Sequence, residues 1–433
     1  MKIVFLTQSY PPMVSGAAIF AGRLAKGMAA RGHEVLVIAA SDRDTPYLEQ
    51  GINLSVLRLR SFPNPLRVNQ RVMLPARRTI WKALRDFQPN LIHTHDPFQM
   101  GLTGVAWASQ TRIPITLSIH QLPWFIASYI PDVDGLRAHA ESMLWKYARW
   151  LLKKFTGILT PTQTISDIVA ERTGIHPQTI SYGLDLRSFS TSPLFPDLEM
   201  ALRHKLDLPP SVPTLLHVGR LDTDKCVDRV ICAAAQTMQT TDAHLLIIGD
   251  GREKPALIRL CRSLGVARRV HFPGFIAFEQ GLPEMYRLAS LFVTASEIET
   301  QSMVLLEAAA SGLPIAAVRA TCIPEIVHHG ENGFLSRPGD LNALAKSMMI
   351  LLQNPAQARQ MGKASRRLAQ CHDQQITMDM HEELYRELIA EKNGWRMEML
   401  APWTRPAGTK LMVNLPSYPG GTSQRKKPRS ALR

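Results

Sequence analysis

No stretch of the 433 residues carries the roughly 20 consecutive apolar side chains that a helix needs to cross a bilayer. The opening run Met1-Lys2-Ile3-Val4-Phe5-Leu6 is too short for a secretory signal core and breaks at Tyr10-Pro11-Pro12. Cysteine is scarce. The five present (Cys226, Cys232, Cys261, Cys322, Cys371) are odd in number and form neither a C-x-x-C pair nor a set with paired histidines, which argues against a disulfide framework and a zinc site. Short tandem repeats are missing, and so is any recognised nucleic-acid-binding motif. The expectation is a cytoplasmic protein, one able to lie peripherally on the cytoplasmic face of the membrane.

A hydrophobic fraction of 45% and a charged fraction of 20% suit a packed globular chain. Its length exceeds the roughly 250–300 residues at which a single core stops growing, so two domains are expected. The formal net charge of +14 favours an anionic partner: a phosphate-bearing ligand, an acidic membrane surface or nucleic acid, the last without a recognised binding motif to support it. Part of that charge lies after Gly408, where Lys410, Arg425, Lys426, Lys427, Arg429 and Arg433 stand among Pro, Gly and Ser without an acidic residue. Such a segment cannot bury enough apolar surface to fold and reads as a disordered tail.

Short apolar runs alternate with amphipathic stretches, the pattern of an α/β chain whose parallel strands need helical crossovers. Strands are predicted at Ile3–Leu6, Glu34–Ile38, Leu54–Leu57, Leu91–Thr94, Ile115–Ser118 and Gly157–Thr160. A second series follows at Thr214–Val218, Leu245–Ile248, Val270–Phe272, Leu291–Thr294 and Ile315–Val318. The fold class expected is α/β, with two Rossmann-like domains facing across a cleft. Residues 1–182 form the acceptor-side domain, 183–365 the donor-nucleotide domain, 366–395 closing helices and 396–433 the basic tail. Ligands of open α/β sheets bind at the carboxyl ends of strands, which puts the site between the two domains.

The most informative segment runs from Ala295 to Pro314. A strand ends, a polar loop follows, and a helix opens near Ser302 and stops at Gly312. Glu307 falls inside an otherwise apolar helix, so it needs a hydrogen-bonding partner: a ribose, or a neighbouring Lys or Arg. The helix start around Gln301–Met303 offers backbone N–H groups to a phosphate or sugar hydroxyl.

Glu299 and Glu307, with seven residues between them, resemble the E-x7-E signature of retaining glycosyltransferases of family 4, and the resemblance extends to about Ala390. It implies that Glu299 lies by the donor sugar and that Glu307 binds the nucleotide ribose, with Thr300, Gln301 and Ser302 also on the donor. Gly219-Arg220-Leu221-Asp222-Thr223-Asp224-Lys225 is similar to the family's G-R-L-x-x-E-K-G loop, in which Arg220 and Lys225 would clamp the diphosphate; Cys226 stands at the usual Gly. Gly249-Asp250-Gly251 matches the family's G-x-G turn, where missing side chains let the base or ribose approach. Ser15-Gly16 occupies the place of a Gly-Gly pair, with Gly16 near the diphosphate. Ser118-Ile119-His120 resembles the strand end carrying the family's histidine by the donor sugar, so His120 and Glu299 are the catalytic candidates. His95, in His93-Thr94-His95-Asp96, marks another strand end lining the cleft.

No metal or cofactor is expected beyond the nucleotide-sugar co-substrate. Asp222-x-Asp224 and Asp132-x-Asp134 have the D-x-D form of metal-dependent enzymes, but Arg220 and Lys225 already supply countercharge. Glu299-Thr300-Gln301 looks like the variant in transferases that glucosylate diacylglycerol, which implies UDP-glucose as donor and a membrane lipid as acceptor. Arg67 and Arg71, and the stretch 136–155 with Trp145, Lys146, Arg149, Lys153 and Lys154, are the candidate acceptor or membrane residues. A core-packing helix is the alternative for that stretch. A soluble or polysaccharide-precursor acceptor, or a sugar-nucleotide epimerase of similar fold, are the competing functions.

Overall fold

The structure, a computed structural model, describes residues 1–397 other than 14, 65–70, 128–129 and 131–134. In the first half the strands are β1 (Lys2–Thr7), β2 (Glu34–Ala40), β3 (Tyr47–Gln50), β4 (Leu54–Leu59), β5 (Ser61–Pro63), β6 (Arg71–Met73), β7 (Leu91–Thr94), β8 (Ile115–Ser118), β9 (Gly157–Thr160) and β10 (Gln178–Thr179). Eight of them form one sheet in the order β10-β9-β8-β7-β1-β2-β4-β3, parallel except for β3 against β4. β5 and β6 make a separate antiparallel pair. The second half contributes β11 (Thr214–Val218), β12 (His244–Ile248), β13 (Val270–Gly274), β14 (Leu291–Val293), β15 (Ile315–Val318) and β16 (Gly333–Ser336), all parallel in the order β13-β12-β11-β14-β15-β16.

Central strands read as unbroken apolar runs because helices cover both faces of a parallel sheet. Thus β1 buries five of its six residues and β11 and β12 bury all of theirs. Both strand orders reverse direction beside the first strand of their sheet, at β1 and at β11, which opens a crevice at the carboxyl ends there.

The chain crosses between the halves twice, and the crossings are zipped together. Leu184 N–H donates to His372 O (2.8 Å) and Gln374 N–H to Leu184 O (3.0 Å). The final helix, Gln374–Met397, then returns to the first half, where Met378, Leu384, Tyr385 and Leu388 pack with Ile3, Phe5, Leu24 and Met28. Its Glu382 takes Arg31 (2.9 Å) and His33 (3.0 Å) from the end of the first helix, Gly16–Ala30. Both sheets lie in one contact unit, Met1–Lys392.

Candidate functional site

Two strand-end loops of the second sheet carry the residues expected on the donor. After β11 the backbone of Gly219–Leu221 runs against Gly249–Gly251 after β12, tied by Leu221 N–H to Asp250 O (2.9 Å). Side chains on the two glycines have no room. A Cβ on Gly249 would lie 1.8 Å from Gly219 O, at a φ of +142°, and one on Gly251 would lie 2.3 Å from Leu221 O. The G-x-G spacing therefore serves the approach of one loop to the other, which corrects the expectation that it is kept for a base or ribose.

Arg220 and Lys225 leave this loop toward the cleft already neutralised. Arg220 pairs with Asp222 and with Asp224 (2.9 Å), while Lys225 Nζ lies 2.7 Å from Glu299 Oε1 and 3.8 Å from Asp224. The loop thus brings Lys225 to Glu299, and Asp224 links Lys225 to Arg220. Both carboxylates of Asp222-x-Asp224 face Arg220; Asp132 and Asp134 lie outside the described residues. Among the described residues no cluster of three His, Cys, Asp or Glu is arranged to hold a metal ion.

Cys226 closes the loop with φ +49°, the left-handed region. This is the physical reason for a glycine at that position, and a β-carbon there costs about 1–2 kcal/mol. Cys226→Gly is expected to stabilise the protein by about 1 kcal/mol, read as a higher urea midpoint, with donor affinity unchanged.

Glu307 lies in the helix Met303–Ala310, only 9% exposed, and accepts a hydrogen bond from the Tyr286 hydroxyl (2.7 Å). Burial raises its pKa, against the opposing pull of that hydroxyl and of the Arg23 charge. Arg23 reaches it from the first helix, in the other half, and its own pKa is lowered by burial, with Glu307 and Asp185 opposing. Its Nη1 is buried without a hydrogen-bond partner. Sequence reasoning missed Tyr286 and Arg23: neither lies in a motif. The only signal for them was the demand of Glu307 for partners.

Gln301 is a correction. It is fully buried, its Oε1 accepting Tyr182 N–H (2.7 Å) and its Nε2 donating to Ser181 Oγ (2.6 Å), so both ends of the amide are spent at the crossing between the halves. Thr300 O accepts the Thr162 hydroxyl (2.9 Å) across the same joint. Ser302, at φ +59°, precedes the helix without capping it through its side chain. Gly16 opens the first helix behind the Ser15 cap, whose hydroxyl accepts Ala18 N–H (3.1 Å), with open space above its Cα.

On the acceptor side, the ends of β7 and β8 and the helices Pro123–Ala127 and Leu136–Leu152 enclose a cavity of about 260 Å³. Its wall is mostly apolar, with Ile126, Leu144, Trp145 and Leu151 among its lining; His95, Asp96, His120 and Gln121 supply polarity. His120 has both ring nitrogens engaged: Nε2 with His95 Nδ1 (2.9 Å) and Nδ1 with the Tyr182 hydroxyl (2.6 Å). Burial lowers its pKa to about 3, which keeps the ring neutral. His93 is taken by Tyr385 and by Ser118 (2.8 Å), an arrangement unlike a metal ligand's.

The remaining candidates separate. Trp145 is 8% exposed and packs beside Trp124, so it lines the cavity and is no surface anchor. Lys146, Arg149, Lys153 and Lys154 gather instead around the exposed Trp150, with Lys154 Nζ 4.6 Å from its ring. Arg71 pins the β5–β6 pair through Ser61 Oγ (2.7 Å) and Asp44, which removes it from the acceptor set. Arg67 and the tail after Gly408 lie outside the described residues.

Comparison with known proteins bears on these two halves separately. The family model "Glycosyltransferase Family 4" matches residues 14–187, and "Glycosyl transferases group 1" matches residues 200–368. Alpha-monoglucosyldiacylglycerol synthase of Acholeplasma laidlawii is 26% identical over 91% of this chain and 98% of its own length; the enzyme of that name from Streptococcus pneumoniae is 28% identical over 73% and 71%. Sulfoquinovosyl transferase SQD2 of Arabidopsis thaliana is 28% identical over 86% and 70%. Sucrose-phosphate synthase from Thermosynechococcus elongatus superposes with a TM-score of 0.75, at 22% identity, over 90% of this chain and 100% of that one. Anabaena HepE in complex with UDP-glucose gives 0.71, at 22% identity, over 89% and 100%.

Proposed function

Because the chain belongs to family 4 of the glycosyltransferases and has their GT-B fold, we propose that it transfers glucose from UDP-glucose, with retention, to a membrane lipid of the diacylglycerol type. The observation that carries the acceptor is the apolar cavity beside His120, which suits a hydroxyl on an acyl-bearing molecule better than a sugar bristling with hydrogen-bonding groups. Relatives whose names state lipid glucosylation support the same reading.

Glu307 would hold the ribose, and Glu299 and His120 would flank the donor sugar. Arg220 and Lys225 would exchange their carboxylates for the diphosphate and stabilise the charge that grows on it as the glycosidic bond breaks. The acceptor hydroxyl attacks from the face the diphosphate leaves, giving its proton to a phosphate oxygen of the departing UDP. Two cations in place make a divalent ion unnecessary, so EDTA is expected to leave the rate unchanged.

The helix Leu136–Leu152 and the residues just after it present two surfaces, one lining the cavity and one carrying Lys146, Lys153, Lys154 and Trp150 outward. That outward surface would rest on an anionic bilayer, with the tryptophan at headgroup level. Lys146→Glu, Lys153→Glu and Lys154→Glu together are expected to weaken co-sedimentation with anionic vesicles about a hundredfold or more, at about 1 kcal/mol per basic residue lost. Glucose transfer to dioleoylglycerol in those vesicles should fall with it. Transfer to soluble sugars at equal rate, with none to lipid, would assign the acceptor to the soluble class.

A further inference from the structure

Tyr182 belongs to no motif of the sequence, yet it touches both halves of the site. Its backbone N–H is held by Gln301, two residues from Glu299, and its phenol lies 2.6 Å from His120 Nδ1. The residue is 5% exposed, and its ring lies 4.6 Å from that of Phe20 and 5.2 Å from that of His120. Held to Gln301 by its backbone, Tyr182 therefore starts a chain of hydrogen bonds that runs from its phenol through His120 to His95, on the wall of the cavity.

A neutral imidazole has one ring proton, so a ring bonded at both nitrogens takes the tautomer its neighbours impose. His95 Nε2, at the far end of the chain, is buried without a partner and sets no direction from its side. The phenol, kept protonated by burial, supplies an O–H to one end of the chain.

We propose that Tyr182 is a positioning residue for transfer: seated where the two halves join, it fixes the ring plane and tautomer of His120 and so couples the donor loop to the acceptor cavity. The inference rests on the transferase reading above. His120 then faces the cavity in one fixed ring orientation, both nitrogens held, and any loosening of the segment that holds Tyr182 through Gln301 releases it.

Tyr182→Phe removes one oxygen and keeps the ring against Phe20. With UDP-glucose and dioleoylglycerol vesicles as probes, kcat is expected to fall about tenfold while the Kd for UDP, measured by calorimetry, stays within about twofold. Histidine-selective 15N spectra should show His120 as a single neutral tautomer in the wild type and as a redistributed mixture in the variant. Wild-type kcat with an unchanged His120 spectrum overturns the proposal. So does a loss of kcat matched by an equal loss of UDP affinity or by a lower melting temperature, the signature of a fold defect. Should the wild-type protein transfer nothing to the vesicles, the lipid reading falls, and the His120 spectrum still decides whether Tyr182 sets its tautomer.

Discussion

Arg220→Ala is expected to lower kcat/KM for UDP-glucose about a thousandfold, close to 4 kcal/mol of transition-state stabilisation. The size follows from what the substitution leaves behind. Two cations and two carboxylates, Asp222 and Asp224, share this loop, a third carboxylate, Glu299, reaches Lys225 from the segment after β14, and the three keep the cations in place in the free protein. Without Arg220 the incoming diphosphate meets three carboxylates and Lys225 alone, and its growing charge is opposed where it should be neutralised. Arg220→Lys restores the charge without the planar fork and should recover only part of the loss. Steady-state kinetics on both variants check this; rates within about threefold of wild type for Arg220→Ala would remove the loop from the diphosphate site.

The second large effect concerns stability in acid. His93, His95, His217 and His381 are all at least nine-tenths buried, and burial lowers each pKa, to about 4 for His217 and His381 and well below the usual value for the other two. Each is neutral in the folded state but protonated below about pH 6.5 once unfolded. The unfolded chain therefore binds more protons, and stability falls as pH drops below about 6.5 toward the folded-state values. At pH 5 His217 and His381 each cost roughly 2 kcal/mol, and His93 and His95 act in the same direction. Urea melts at pH 7.5, 6.0 and 5.0 should show the midpoint collapsing across this range. A midpoint that stays level would mean these rings take up protons without unfolding.

The central strands of both sheets were legible because a strand buried on both faces has to be a run of apolar residues. Edge elements were not: β3 (Tyr-Leu-Glu-Gln), β10 (Gln-Thr) and β16 (Gly-Phe-Leu-Ser) carry no unbroken apolar run to mark them. The closing helices expected over 366–395 include Gln374–Met397, and nothing in its pattern says that it packs on the opposite half of the chain.

The donor loops were legible for a different reason. Glu299, Glu307, Arg220 and Lys225 act at fixed distances along short segments, so their spacing is itself the signal, and the structure brings Lys225 to Glu299 over a separation of 74 residues as the two segments demand together. Gln301 shows the limit. It lies inside the same segment, but its amide is turned toward Ser181 and Tyr182, a choice that depends on where the crossing between the halves runs. The glycines of Gly249-Asp250-Gly251 were found by spacing and misread in cause, because only the packed structure shows that another backbone fills the space above them.

What the sequence determined by itself is the alternation of strands and helices, the two-domain division of labour it suggests, and the short motifs whose chemistry is local. Tertiary structure alone decided which groups meet from distant parts of the chain: Arg23 with Glu307, Tyr182 with His120, and Tyr385 with His93. The reason is physical. Apolar periodicity reports that a face is buried, and a polar residue among apolar neighbours reports that it needs a partner. Which partner it finds is set by the packing of whole elements, and no local pattern contains that information.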